Sequence, residues 1–154
     1  MEEGPLRNHK YFRLIYDKVK NHPFKDTLQS LHGTVLVRGG SVISWGLNDP
    51  SRCIFSDLYA THPSFTIHSE LNAIRKVRKK IDLTGCVAYN LRINKHGEVK
   101  LSAPCSGCSK LLLDYGIKKC YFSTDSSSVE VMRCFRGCSN NWNLNKENDN
   151  GLSR

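Results

Sequence analysis

Apolar and polar positions recur along the chain with two different periods, and these periods predict its helices and strands. Over 6–20, apolar side chains return at helical spacing among charged residues, which predicts an amphipathic helix. Two β-rich runs, 33–38 and 41–45, flank Gly39-Gly40 and predict a hairpin with a two-glycine loop. The first part of the chain is therefore predicted to be a helix followed by a hairpin.

Helices and strands alternate in the remainder of the chain. The predicted elements are a helix over 69–80, a strand over 86–93, a return strand over 98–101, a helix over 104–115 and a strand over 117–123. Periodicity leaves 129–135 open between strand and helix. This alternation predicts an α/β fold, a three-layer α-β-α sandwich around a mixed five-stranded sheet.

Length and composition fit one domain over 1–138, followed by a polar tail over 139–154 that is expected to be mobile. No apolar run reaches the length of a membrane span, so no membrane partner is expected. The acidic N-terminus lacks the apolar stretch of a signal peptide. The seven cysteines are an odd number, and two of them are better explained by metal than by a disulfide. These observations predict an intracellular, cytoplasmic protein.

The formal charge of +9 indicates an anionic partner. The excess gathers mainly in the run 75–80, with smaller groups further along. Such a surface attracts phosphate, either on a nucleotide or on a nucleic acid. The alternative is that 75–80 is the solvated face of a helix, and charge alone does not decide between the two.

Two short motifs carry the candidate chemistry: His68-Ser69-Glu70 and Pro104-Cys105-Ser106-Gly107-Cys108. One imidazole and two thiolates can hold Zn²⁺ on three sides and leave its fourth position open, as in catalytic zinc sites. Glu70 lies where a carboxylate can reach a metal-bound water without occupying the metal, so it is the candidate acid and base. The alternative is one half of a structural zinc site whose fourth ligand lies elsewhere.

The H-x-E and P-C-x-x-C motifs together resemble those of zinc deaminases of nucleobases. The resemblance is to the cytidine and deoxycytidylate deaminase superfamily and runs from about 31 to 124. It includes Gly33-Thr34-Val35, Gly46-Leu47-Asn48, the segment 66–70 and the segment 116–119. The chain departs from the family pattern in two places: Ser69 stands where Ala is usual, and the stretch between Cys86 and Cys105 is longer than in compact members, with the turn 94–97 inserted.

This resemblance implies a role for each motif residue and an assembly state. The zinc ligands would be His68, Cys105 and Cys108, the proton shuttle would be Glu70, and Asn48 would contact the substrate. Asn48 could instead only cap the exit of the hairpin. A homo-oligomer is expected from the resemblance alone.

The leading hypothesis for function is hydrolytic deamination of the cytosine base of a (deoxy)cytidine nucleotide, giving uracil and ammonia. A second hypothesis keeps the chemistry but changes the substrate to a polynucleotide, either cytosine in single-stranded DNA or RNA or adenosine in a tRNA loop. A third is a catalytically silent zinc module that binds nucleic acid. An intact Glu70 argues against the third, because a silent module has no use for that acid.

The other cysteines divide into two groups. Cys86 and Cys120 lie within predicted strands and are expected in the core. Some deoxycytidylate deaminases carry a second, structural zinc, and by resemblance Cys53, His62, Cys134 and Cys138 could form such a site if the C-terminal segment folds back. The alternative is that these are scattered free thiols and a loop histidine.

Overall fold

Three helices and six strands alternate in the part of the chain that the computed structural model describes, residues 6, 9–50, 67–77 and 82–133. In chain order they are α1 (Lys10–Lys20), β1 (Ser30–Arg38), β2 (Ser41–Leu47), α2 (Ser69–Arg75), β3 (Val87–Asn94), β4 (Val99–Lys100), α3 (Ser106–Asp114), β5 (Lys119–Ser123) and β6 (Val129–Arg133). The predicted order of elements is confirmed, and 129–135, which periodicity left open, contains a strand.

The strands form one mixed sheet in the order β2-β1-β3-β5-β6, with β4 paired to β3 outside that path. Strands β3 and β5 run parallel, and the other pairs are antiparallel. The predicted α/β class and mixed sheet are confirmed. The described sheet has six strands instead of five because β4 returns along β3 after the turn that lengthens this segment.

The two faces of the sheet carry separate cores. Successive strand residues point to opposite faces, so Val35 joins the α1 core while Leu36 joins the core beneath α2 and α3. Helix α1 buries Phe12 and Ile15 completely, and burial of each such side chain stabilises the fold by about 1.5–3 kcal/mol. This helix begins at Lys10 and not at residue 6, because His9 is its N-cap and has an extended backbone.

Three glycines fix the geometry of the hairpin and of its contact with α2. Gly39 and Gly40 both have positive φ, 58° and 79°, which the tight loop between β1 and β2 requires. At Gly46 on β2, a Cβ atom would lie 2.3 Å from the backbone nitrogen of Ala73. Helix α2 can therefore lie directly against the sheet only because residue 46 has no side chain.

Both helices of the second core begin at a candidate ligand. The N-cap of α2 is His68, and the N-cap of α3 is Cys105, whose side chain accepts a hydrogen bond from the backbone N–H of Cys108. Helix α2 is shorter than predicted, since its C-cap is Lys76. Cys86 and Cys120 are fully buried in this core, as predicted.

Within the described residues, no helix is long and apolar enough to cross a membrane. The predicted tail over 139–154 lies outside the described residues, so it and the boundary at 138 stay predictions.

Candidate metal centre

The candidate ligands His68, Cys105 and Cys108 converge at the N-termini of α2 and α3. Their ligand atoms all lie within 4.8 Å of one another. Nδ1 of His68 is 3.3 Å from Sγ of Cys108 and 3.7 Å from Sγ of Cys105. Two motifs that are distant in the sequence thus meet at one point, as predicted.

These distances fit a zinc ion. Tetrahedral zinc with Zn–S of about 2.3 Å and Zn–N of about 2.0 Å places neighbouring ligand atoms about 3.6 Å apart. The imidazole and both thiol groups already lie near that spacing. The donor set, one nitrogen and two sulfurs, is also one that zinc prefers.

In the metal-free cluster, one of the three groups is already in the form that binds a metal. Hydrogen bonding from the Cys108 thiol, helped by His68, lowers the pKa of Cys105 to about 3, so Cys105 is a thiolate at neutral pH. The same contact, together with burial, raises the pKa of Cys108. The pKa of His68 is raised because its ring hydrogen-bonds to Cys105.

Glu70 is buried beside this cluster, with 6% of its surface exposed. Burial, the largest cause, raises the pKa of its carboxyl, and the Cys105 thiolate acts in the same direction. The charge of His68 and the hydrogen bonds to the carboxyl act in the opposite direction. Oε2 accepts a hydrogen bond from Nδ2 of Asn90 at 2.9 Å, and Oε1 lies 3.2 Å from the hydroxyl of Ser69. Both carboxylate oxygens therefore have protein donors.

Thr34, Ser69 and Asn90 form what we term the carboxylate clamp. The hydroxyl of Thr34 donates to Oδ1 of Asn90 at 2.7 Å, which orients the Asn90 amide so that its N–H groups face Glu70 and the Ser102 carbonyl. The Ser69 hydroxyl lies 2.8 Å from that of Thr34. The Ser69 hydroxyl has one hydrogen, which can go either to Thr34 or to Glu70. Asn90 is therefore the stronger donor to the carboxylate.

A cavity of about 170 Å³ opens over these groups. Its lining includes two of the candidate ligands, one residue of the clamp and the end of the hairpin: His32, Asn48, His68, Ser69, Glu70, Ser102, Ala103 and Cys105. A ligand in this cavity can therefore touch Glu70 and the metal position together.

Asn48 lies in the cavity wall, and its side chain is held by the protein. Its Oδ1 accepts from the backbone N–H of His32 at 3.0 Å, and its Nδ2 donates to the Ser30 carbonyl at 3.1 Å. Nε2 of His22 lies 3.0 Å from Oδ1 of Asn48. This Nε2 carries the ring hydrogen and donates it, because Nδ1 of the same ring accepts a hydrogen bond from the backbone N–H of Phe24. Asn48 thus fixes the exit of the hairpin and also borders the cavity.

Several residues of this site were not predicted. His22, His32, Asn90 and Ser102 were not singled out, and Thr34 and Ser69 were noted only as parts of motifs. Asn90 is the one that left a signal, a buried amide in the middle of an apolar strand, where asparagine is uncommon.

The possible second zinc site cannot be placed, since Cys53, His62, Cys134 and Cys138 lie outside the described residues. Among the residues that are described, His68, Cys105 and Cys108 form the group that could hold a metal ion.

Comparison with known proteins identifies the family. Residues 7–124 match the family described as "Cytidine and deoxycytidylate deaminase zinc-binding region". The chain belongs to this family, and with its His/Cys/Cys cluster the implied cofactor is Zn²⁺. No curated protein matches the chain significantly.

Solved structures of similar fold include two of the dCMP deaminase from the cyanophage S-TIM5. The apo form is 20% identical, with 73% of this chain and 81% of that one covered and a TM-score of 0.46. The complex with dCMP and dUMP is 21% identical, with 75% and 82% covered and a TM-score of 0.47. A third similar structure is the Thermotoga maritima diaminohydroxyphosphoribosylaminopyrimidine deaminase/5-amino-6-(5-phosphoribosylamino)uracil reductase, 22% identical, with 93% of this chain and 34% of that one covered and a TM-score of 0.45.

Proposed function

We propose that this protein is a hydrolytic deaminase that converts the cytosine base of a (deoxy)cytidine nucleotide to uracil and releases ammonia. The observation that carries the proposal is the buried carboxylate of Glu70, which shares one cavity with the His68, Cys105 and Cys108 cluster. A structural zinc site has no need of such a carboxylate.

Glu70 is the group that moves protons in this proposal. A zinc ion held by the cluster would lower the pKa of the attacking water to about 7. The Glu70 carboxylate takes a proton from this water as the water oxygen bonds to C4, and delivers the proton to N3 of the ring. It then carries the remaining proton of the added hydroxyl to the amino group, so that the C4–N bond breaks, ammonia leaves and the C4 carbonyl forms. Asn90 and Ser69 keep both carboxylate oxygens in place for these transfers.

The cavity favours a single base over a whole nucleotide. Its volume of about 170 Å³ is below the roughly 300–1,000 Å³ of pockets that enclose drug-sized ligands. The base would enter beside Asn48, and the sugar and phosphate would lie outside the space that the base fills. We assign Asn48 to substrate contact through the part of its amide that borders the cavity.

The test is ammonia release from zinc-loaded protein given cytidine, deoxycytidine, dCMP, single-stranded DNA or a tRNA loop. Turnover of dCMP, and its loss in Glu70→Gln with zinc content unchanged, would support the proposal. Glu98→Gln is the matched control, because this glutamate lies in the exposed β3–β4 turn. If none of the five substrates is turned over while zinc is bound, the hypothesis of a catalytically silent zinc module is favoured instead.

A polynucleotide substrate is the second candidate, favoured by a groove beside the cavity. The groove has a volume of about 410 Å³ and adjoins the cavity at Asn48. Trp45 and Phe24 line it, together with Arg75 and Lys76. The ammonium groups of Lys18 and Lys76 lie 4.5 and 4.4 Å from the centre of the Trp45 ring. Aromatic and cationic groups in one groove suit the bases and phosphates of a single strand.

Salt dependence separates the two substrate classes. Binding of a polynucleotide releases several counterions and should weaken steeply as salt rises, whereas a mononucleotide should respond weakly. Trp45→Ala should weaken oligonucleotide binding and leave dCMP turnover unchanged if the groove holds the strand.

Two further expectations from the family resemblance, a homo-oligomer and a second zinc ion, can each be tested by a direct measurement. Light scattering on the purified protein tests the homo-oligomer. Metal analysis tests the second zinc, for which two zinc ions per chain would be the supporting result.

A further inference from the structure

We propose that His32, which lines the catalytic cavity, and Arg92, which lies opposite it on β3, form an anion-binding wall that contacts a phosphate group of the substrate. This inference rests on the proposed function, because it takes the anion to be part of a cytidine nucleotide. It adds a recognition role for two residues outside the zinc motifs.

His32 and Arg92 lie side by side on the face of the sheet that bears the site. They are directly opposite each other in the antiparallel pairing of β1 and β3, two residues along from the pair Thr34 and Asn90. Because side chains two residues apart share a face, His32 and Arg92 lie on the same face as the carboxylate clamp. Lys100 on β4 is opposite Arg92, so the row continues across a third strand with another cation.

Both side chains have hydrogen-bonding groups to spare. The ring of His32 lines the cavity, and no protein hydrogen bond to it is found within the described residues. The Arg92 guanidinium donates from one terminal nitrogen to the Leu101 carbonyl at 3.2 Å. Its Nε is buried and has no hydrogen-bond partner among the described residues. The other terminal nitrogen has no hydrogen bond among the described residues, so its N–H groups remain available to an anion.

The electrostatics of the pair agree with this role. Burial first, and then the neighbouring Arg92 guanidinium, lower the pKa of His32 to about 4, so the imidazole is neutral at neutral pH. A neutral imidazole still carries one N–H donor, and the guanidinium carries the positive charge. A planar guanidinium with several donors is well suited to phosphate.

The phosphate could belong to either of two sources, the 5′-phosphate of a mononucleotide or a phosphodiester of a polynucleotide. The experiment therefore compares deoxycytidine, dCMP, and a short oligonucleotide that contains one cytosine and has no terminal phosphate. The variants are Arg92→Gln, Arg92→Lys and His32→Phe, with Lys110→Gln on α3 as the control for loss of an exposed cation. Zinc content and thermal melting verify that each variant is folded.

We expect Arg92→Gln to lower kcat/KM about tenfold to a hundredfold on the substrate whose phosphate reaches the wall, chiefly through KM. His32→Phe should have a smaller effect of the same kind, and Arg92→Lys should retain part of the activity because the charge remains. Deoxycytidine, which has no phosphate, should lose much less activity than that substrate in each of these variants. The substrate that loses activity, dCMP or the oligonucleotide, identifies the source of the phosphate.

Equal losses with and without a phosphate would overturn the inference, because they would indicate a general structural role. An unchanged kcat/KM on both dCMP and the oligonucleotide, in Arg92→Gln and in His32→Phe alike, would also overturn it. A second readout needs no turnover: wild-type protein should bind dUMP more tightly than deoxyuridine, and Arg92→Gln should abolish that difference. If the wild type turns over nothing, the proposed deaminase function fails, while this binding comparison still decides whether the wall recognises phosphate.

Discussion

The hydrogen bond from Asn90 to Glu70 should control the ionisation of the carboxyl that moves protons. In Asn90→Asp the side chain keeps its size and its Oδ1, so Thr34 can still donate to it. The N–H group that lies 2.9 Å from Oε2 of Glu70 is replaced by an acidic oxygen. Two buried carboxyls at this distance cannot both be ionised, so the pair retains a proton.

The size of the effect follows from the contact that is lost. A hydrogen bond to a charged group contributes about 1.5–3 kcal/mol, which corresponds to a loss of roughly tenfold to a hundredfold in kcat/KM. Burial already raises the pKa of Glu70. Removing a donor that favours the ionised form, and adding an acid beside it, raises this pKa further. Activity requires the carboxylate, so the acid limb of the pH–rate profile should move to higher pH.

The assay is ammonia release from dCMP across the pH range, with zinc content measured on the same samples. Asn94→Asp is the matched control, since it makes the same exchange on β3 beside Glu98, in the exposed turn. Its pH profile should match the wild type. The role given to the clamp would be refuted if Asn90→Asp retained zinc, had the kcat/KM of the wild type and showed the acid limb of its pH–rate profile at the same pH.

Three further predictions concern the same site. Ser69→Ala removes a hydroxyl whose hydrogen is shared, so kcat should fall only by about twofold to tenfold, with KM and zinc content unchanged in steady-state assays; complete inactivity would contradict this. Gly46→Ala places a Cβ atom 2.3 Å from the Ala73 nitrogen, and such overpacking should cost about 1–3 kcal/mol, seen as a lower melting temperature; an unchanged melting temperature would contradict the close contact. After chelation of zinc, Cys105 should be alkylated by iodoacetamide even near about pH 5, where an ordinary thiol is protonated, and restored zinc should protect it; mass spectrometry that found Cys105 no more reactive than Cys120 would contradict the lowered pKa.

The zinc cluster could be predicted from the sequence because its geometry is local. His68 and Glu70 lie on one helix start, and Cys105 and Cys108 lie on another with a three-residue offset. A helix that begins at the ligand directs these side chains to the same end. The family pattern then supplied the one long-range fact, that the two helix starts meet.

The clamp could not be predicted in the same way, because it depends on strand register. Thr34 and Asn90 are separated by 56 residues in the chain and meet only because β1 pairs with β3. The same holds for His32 and Arg92. Spacing along the sequence carries no information about which residues two distant strands place opposite each other.

Strand β1 connects the proposed chemistry with the proposed recognition. It is an interior strand, paired to β2 on one side and to β3 on the other, and it contributes both Thr34 and His32 to the same face. A slip of one residue between β1 and β3 would turn both side chains away from the cavity at once. The clamp on Glu70 and the anion-binding wall are therefore set by a single register, that of β1 against β3. A change in this register should disturb proton transfer and phosphate recognition together, whereas changes in Asn90 or Arg92 should separate them.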